Sequence, residues 1–164
     1  MMDALPERTN AIALDGTTLD DVLDTFALLD EWEDRYRYII ELGRKLPPLP
    51  ESAYRDENRV RGCTSRVWLV AMPDGQDGRL VFRGDSDAHI VKGLVALMLL
   101  IFSGRTPQEI LAIDAQAVLD RLDLRAHLSP MRANGLFSML ERIKEMARTA
   151  AGGDRPAGCG EASS

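Results

Sequence analysis

Cys63 and Cys159 are the two residues in this chain that offer a soft nucleophile, and only Cys63 stands in a setting built for one. It lies in Gly62-Cys63-Thr64-Ser65, where a polar stretch gives way to an extended one, and Arg59, Arg61 and Arg66 stand close to it. Positive charge near a thiol raises the fraction present as thiolate, which is the nucleophilic form. Glycine beside it permits an unusual dihedral or a close backbone approach. The plain alternative is a small buried hydrophobe, which is what most free cysteines are, flanked by an ordinary solvated arginine surface.

The residue inventory narrows the chemistry. A cysteine hydrolase needs a base within hydrogen-bond reach and a third group to orient it. His89 and His127 are the candidates, and His89, just beyond the hairpin that follows Cys63, is the one placed to form a dyad. No triad pattern accompanies it. A zinc site needs about four ligands at clustered spacing, and Cys63, Cys159, His89 and His127 are scattered, so no metal site is expected. An iron–sulfur scaffold needs several converging cysteines. Neither common glycine-rich phosphate loop occurs. Asp85 and Asp87 are close enough to act as paired carboxylates, although capping of the following helix explains them better. What fits best is thiol chemistry without a built-in base, such as attack on the outer sulfur of a partner's persulfide. There the donor supplies an activated sulfur, and the acceptor needs nucleophilicity, access and docking. A Cys63–His89 hydrolase stays open as the alternative.

The elements that must position this thiol follow from periodicity. Thr18, with Asp21 three residues later, caps a helix bearing Val22, Leu23, Phe26 and Leu29 on one stripe. A second helix runs from about Trp32 to Leu46 and stops at the prolines Pro47, Pro48 and Pro50. Polar, aperiodic residues from Glu51 then form a surface loop leading to Cys63, and Asn58 to Arg61 is a possible short edge strand. Val67 to Val70 and Arg79 to Arg83 read as the two strands of an antiparallel hairpin across a PDGQDG turn. Gly84, Asp85 and Ser86 should turn the chain out of the sheet, with Asp85 or Ser86 capping an apolar core helix from Ile90 to Phe102. Thr106-Pro107-Gln108-Glu109 is a capping box, and Ser129-Pro130 opens a last helix carrying Leu136, Met139, Leu140, Ile143 and Met146. Strands and helices that segregate this way predict an α+β fold, with a small antiparallel sheet of two to three strands packed on helices.

Size and charge limit the rest. The 164 residues suit one domain, read as 17–149 between a flexible extension (1–16) and a disordered, small-residue tail (150–164). A formal net charge of −6 argues against general binding to nucleic acid or anionic membrane. The opening MMDALPERTN has neither a basic start nor an apolar stretch, and the apolar run that contains Lys92 is too short to span a bilayer, so a cytoplasmic protein is expected.

Five stretches then carry a resemblance. YRYIIELGRKLPPLP (Tyr36 to Pro50), NRVRGCTSRVWLV (Asn58 to Val70), GDSDAHIVKGL (Gly84 to Leu94), TPQEI (Thr106 to Ile110) and HLSPMRANGL (His127 to Leu136) resemble, in order and spacing, the SufE family, which includes the CsdE proteins. The resemblance implies a fold similar to the IscU-type scaffold, without that scaffold's cluster-binding cysteines. It implies that Cys63 matches the family's persulfide-accepting cysteine, so that the protein is an accessory sulfur carrier and not itself an enzyme. The implied donor is a PLP-dependent cysteine desulfurase of the SufS or CsdA type, which the acceptor stimulates, and the sulfur passes to a SufBCD-like cluster-assembly complex. PLP belongs to that partner, and no cofactor is expected here.

Arg132 matches an arginine that the resemblance links to docking or to steadying the thiol, and Asp85 matches an aspartate expected near the cysteine loop. Arg61 and Arg66 are expected to tune the thiol without being required. Met131 and His89 depart from the smaller residues expected at their positions. Cys159 falls outside the resemblance and reads as incidental. A persulfide left in solvent would be lost to reductants, so Cys63 is expected to rest partly buried and to need a loop movement on docking.

Overall fold

In the computed structural model, the described residues are 17–62, 65–74 and 78–151. Helix α1 (Leu19–Leu28) starts at Thr18, whose Oγ1 accepts from Asp21 N at 3.1 Å while Asp21 Oδ2 accepts from Thr18 N at 3.0 Å. Val22 and Phe26 form its buried stripe. The last turn of α1 has no basic residue of its own, and Arg35 of α2 (Trp32–Arg44) supplies one. Its Nε and Nη2 donate to Leu29 O at 2.8 Å and Phe26 O at 2.9 Å, placing a cation at the negative end of the helix.

Helix α2 ends at Arg44, two residues short of the expected Leu46, and the prolines follow. The polar stretch after them folds into two short 3-10 turns, Glu51–Ala53 and Asp56–Asn58. The third strand expected there reduces to a single antiparallel bridge between Arg59 and Trp68.

Strands β1 (Val67–Asp74) and β2 (Arg79–Ser86) pair antiparallel, from Val67 opposite Ser86 to Asp74 opposite Arg79. The hairpin is therefore longer than its apolar centre, and Gly84, Asp85 and Ser86 remain in the ladder instead of turning out of it. The cause is β1 itself: it starts at Val67, so the last residues of β2 still have partners. Leu80 and Phe82 alternate inward with Val67 and Leu69. At the hairpin's other end, Ser103 Oγ accepts from Phe82 N at 2.7 Å, and Leu80 N donates to Arg105 O at 2.8 Å.

Helix α3 (His89–Phe102) is buried at every position from Gly93 to Phe102, as expected of a helix apolar all round. Neither Asp85, Ser86 nor Asp87 caps it in the expected way. Its N-cap is Ala88, without a side-chain cap bond, because the Asp85 carboxylate is held within the sheet and the Asp87 carboxylate accepts from Arg66 N. Helix α3 crosses α2 with backbones in contact. A methyl on Gly43 would lie 2.7 Å from Gly93 N, and one on Gly93 would run into the Ile39 carbonyl oxygen.

The remaining helices close the core. Helix α4 (Pro107–Ala112) opens with the Thr106–Glu109 capping box, and α5 (Ala115–Arg121) is capped by Asp114. A single-turn α6 (Leu124–His127) leads to α7 (Pro130–Ala151), which starts where Ser129 Oγ accepts from Arg132 N at 3.3 Å. Leu136, Met139, Leu140, Ile143 and Ala147 recur on its buried face. Lys144 donates to the carbonyls of Ile110 (3.0 Å), Leu111 (3.2 Å) and Ile113 (2.8 Å), tying α7 to the C-terminal end of α4. Burial lowers its pKa below that of a free lysine.

Candidate functional site

Two stems hold the loop that contains Cys63. Val60 N donates to Val67 O at 2.8 Å beside the Arg59–Trp68 bridge. On the other side Arg66 N donates to Asp87 Oδ1 at 3.0 Å, and Asp87 N donates to Arg66 O at 3.2 Å. Between the stems, Gly62 has φ 90°, in the left-handed region that favours glycine. It rests on α7 so closely that a methyl there would collide with Ser138 Oγ. Cys63 and Thr64 lie outside the described residues, as does Cys159, so the expected partial burial of Cys63 is not decided by this geometry.

Ser65, where the described chain resumes, borders a cavity of about 210 Å³ between the N-terminal halves of α3 and α7. Val91 and Leu94 line it from α3, Met131 and Met139 from α7, and Arg132 adds a charged side chain. The arrangement joins an apolar recess to one cation beside the loop, which suits a polarisable sulfur anion better than a hydrated ion.

The expected site residues do not gather in one place. Arg132 is exposed and shares the cavity with Ser65. Arg61 is exposed on the opposite flank, in an open groove of about 700 Å³ with Gly62, Ser138 and Arg142. The Arg66 side chain is also exposed, and its backbone forms the Asp87 stem. His89 is exposed at the first position of α3. His127 stacks on Trp32, with ring centroids 4.0 Å apart, and its backbone carbonyl accepts from the Tyr36 hydroxyl.

Asp85 lies in the sheet opposite Trp68, and it is 9% exposed. Its Oδ2 accepts from the Tyr54 hydroxyl at 2.5 Å, while Oδ1 accepts from Ser86 N at 2.8 Å and pairs with Lys92 Nζ at 3.3 Å. The hydrogen bond to the carboxylate, helped by burial, raises the Tyr54 pKa above that of a free tyrosine. Tyr54 was not among the residues expected at the site. The available signal was a lone aromatic in an otherwise polar stretch.

Among the described residues, no three His, Cys, Asp or Glu side chains gather in a way that could hold a metal ion, and no helix is long and apolar enough to cross a membrane.

A model of the SufE family, described as an Fe–S metabolism associated domain, matches residues 20–147. An uncharacterized SufE-like protein of Rhizobium meliloti (strain 1021) is 56% identical over 133 residues, covering 80% of this chain and 95% of the relative. A second, from Rhizobium etli, is 49% identical over 136 residues, covering 82% of this chain and 92% of the relative. The solution structure of a hypothetical protein from Thermus thermophilus shares the fold at a TM-score of 0.65 and 24% identity, covering 82% of this chain and 96% of that one. With an α+β architecture and a family match across nearly all of its described residues, the chain belongs to the SufE family of Fe–S metabolism associated proteins.

Proposed function

We propose that Cys63 accepts persulfide sulfur from a PLP-dependent cysteine desulfurase, stimulates that enzyme by clearing its sulfur, and hands the sulfur to a cluster-assembly complex. The observation that carries this reading is the cavity shared by Ser65 and Arg132: an apolar recess with one cation, adjoining a loop whose glycine is held against α7. Membership of a family tied to Fe–S metabolism supports it.

The transfer balances without an oxidant. The Cys63 thiolate attacks the outer sulfur of the donor persulfide, forming a new S–S bond as the donor's S–S bond breaks. The donor cysteine leaves as thiolate and takes the negative charge, and the outer sulfur keeps its proton on Cys63 as a persulfide, which then ionises by losing that proton to solvent. Arg132 lines the cavity, and in this reading its cation offsets a negative charge that enters there. PLP acts in the donor, and this chain acts as an accessory carrier.

Mass spectrometry after incubation with a SufS-type desulfurase and cysteine tests the proposal. A reducible gain of one sulfur on the Cys63 peptide is expected, absent without the desulfurase. Cys63→Ser should abolish stimulation while the fold persists, and full stimulation by that variant would sink the assignment. His89→Ala should leave the sulfur gain intact.

A further inference from the structure

The recess beside Ser65 has two walls, and α2 bears on both. Helix α3, which contributes Val91 and Leu94, packs on α2 through the Gly43–Gly93 crossing. The other wall, Met131 and Arg132, stands on the first turn of α7. That turn has no core of its own, since no residue from Ser129 to Asn134 is buried. It hangs between Leu128, which is buried, and Gly135, where the buried face of α7 begins.

His127 ties this turn to α2. Its backbone carbonyl accepts from the Tyr36 hydroxyl, and its ring stacks on Trp32 with centroids 4.0 Å apart and planes 15° apart. Trp32 is itself fixed: Phe26 meets it edge-on at 6.0 Å, Tyr36 lies at 5.4 Å, and the Arg35 guanidinium carbon is 5.1 Å from its ring centroid. Few joints separate His127 from Arg132. Leu128 N donates to Leu124 O at 3.0 Å, Ser129 Oγ accepts from Arg132 N at 3.3 Å, and Ser129 O accepts from Ala133 N at 2.9 Å. Pro130 adds a fixed φ at the first helical position.

We propose that Trp32 and Tyr36 are positioning residues for Arg132: by gripping His127 they place the first turn of α7 so that the Arg132 cation lies at the recess. The proposal rests on the assignment of Cys63 as the acceptor thiol, and it gives His127 a mechanical role in place of a basic one. The hydroxyl holds the backbone of His127 and the indole holds its ring, so the residue can neither slide along α2 nor swing off it. Without both contacts, the turn is steadied by Leu128 and by its continuation into α7 alone. The effect of a cation on a thiolate falls with separation, so a displaced Arg132 does less for the sulfur.

The test uses the full-length protein and two alkylating reagents, the anion iodoacetate and the neutral iodoacetamide. Mass spectrometry gives the rate of each at Cys63, and the ratio of the two rates reads the positive charge near the thiol. A change in exposure or in general stability moves both rates together and cancels in the ratio. Arg59, Arg61 and Arg66 stay in every sample, so differences report Arg132. Arg132→Ala should lower the ratio about two- to fivefold, the effect of one charge across a few ångströms of water. The pair Tyr36→Phe with His127→Ala removes both contacts and keeps Arg132, and should lower the ratio about twofold or more. Added to Arg132→Ala, the pair should lower it no further. His127→Phe, which keeps a ring on Trp32, should hold the wild-type ratio. Should circular dichroism show the pair unfolded, Tyr36→Phe alone takes its place.

An unchanged ratio in the pair, or in Arg132→Ala itself, would overturn the proposal. So would an equal fall when the pair is added to Arg132→Ala, or a fall in His127→Phe as large as that of the pair. Absence of sulfur gain on wild-type Cys63 would instead remove the acceptor assignment, and the reagent ratio would still decide what places Arg132.

Discussion

An alanine methyl at position 62 faces two costs that a glycine avoids. The left-handed backbone at φ 90° costs an L-residue about 1–2 kcal/mol, and the new Cβ would meet Ser138 Oγ. Gly62→Ala is therefore expected to lower stability by at least that backbone amount, read from urea denaturation. It should also slow sulfur gain, because the residue next to Cys63 would be pushed off α7. Adding Ser138→Ala removes the hydroxyl but leaves Ser138 Cβ at 3.3 Å, so the double variant should recover the steric part and keep the backbone part. Full recovery would show that the dihedral carries no cost at this position. The glycine beside Cys63 was legible as a site of unusual geometry, but its contact on α7 was not. Nothing in local spacing relates residue 62 to residue 138.

At the scale of elements, the α2–α3 crossing places the apolar helix under the site. Gly43 and Gly93 let the two backbones touch, and Ile39 is fully buried beside them. Gly93→Ala gains helix propensity in isolation, yet here it forces the helices apart. The expected result is a net loss of about 1–3 kcal/mol, the range for overpacking a filled core, measured as a drop in thermal midpoint. An unchanged midpoint would mean that the helices can separate freely at this crossing. Two helix starts were readable in the sequence because capping is local: Thr18 is the expected N-cap of α1, and Thr106 with Glu109 forms the expected box of α4. The exit from β2 was misread for the opposite reason. Gly-Asp-Ser has turn chemistry, but pairing with the first residues of β1 overrides it, and the Asp85 carboxylate is engaged by Tyr54 and Lys92 from other parts of the chain.

Among the described residues, Tyr54 and Lys144 link the stability of the molecule to pH. The Tyr54 pKa is raised above 10.0, so folding favours its neutral hydroxyl. Its contribution is complete below about pH 10 and is lost as pH climbs through the higher folded value. The Lys144 pKa is lowered from 10.5, so burial disfavours its cation. Its contribution is present above that unfolded value and declines as pH falls through the folded one. The stability difference between wild type and Tyr54→Phe should accordingly stay level from neutral pH to about pH 10 and shrink above it, measured as urea midpoints across that range. A difference that persists unchanged well above about pH 11 would show that the hydroxyl–Asp85 bond does not contribute.

The sequence by itself determined the hairpin set between helices, the caps at Thr18, Thr106 and Ser129, the all-round burial of the segment after the hairpin, and the family, through five ordered motifs around one cysteine. These are short-range properties, set by periodicity, by hydrogen bonds three residues apart and by the chemistry of single side chains. Only the tertiary structure decided what surrounds the residues flanking Cys63. The cavity brings Ser65 together with residues of α3 and α7, Gly62 meets Ser138, and Tyr54 reaches Asp85. Each of these contacts joins segments far apart in the chain, and their pairing is settled by how the helices and the hairpin pack on a shared core. Cys63 is singled out as a candidate by its neighbours in sequence; the recess and the stems beside its loop depend on neighbours in space.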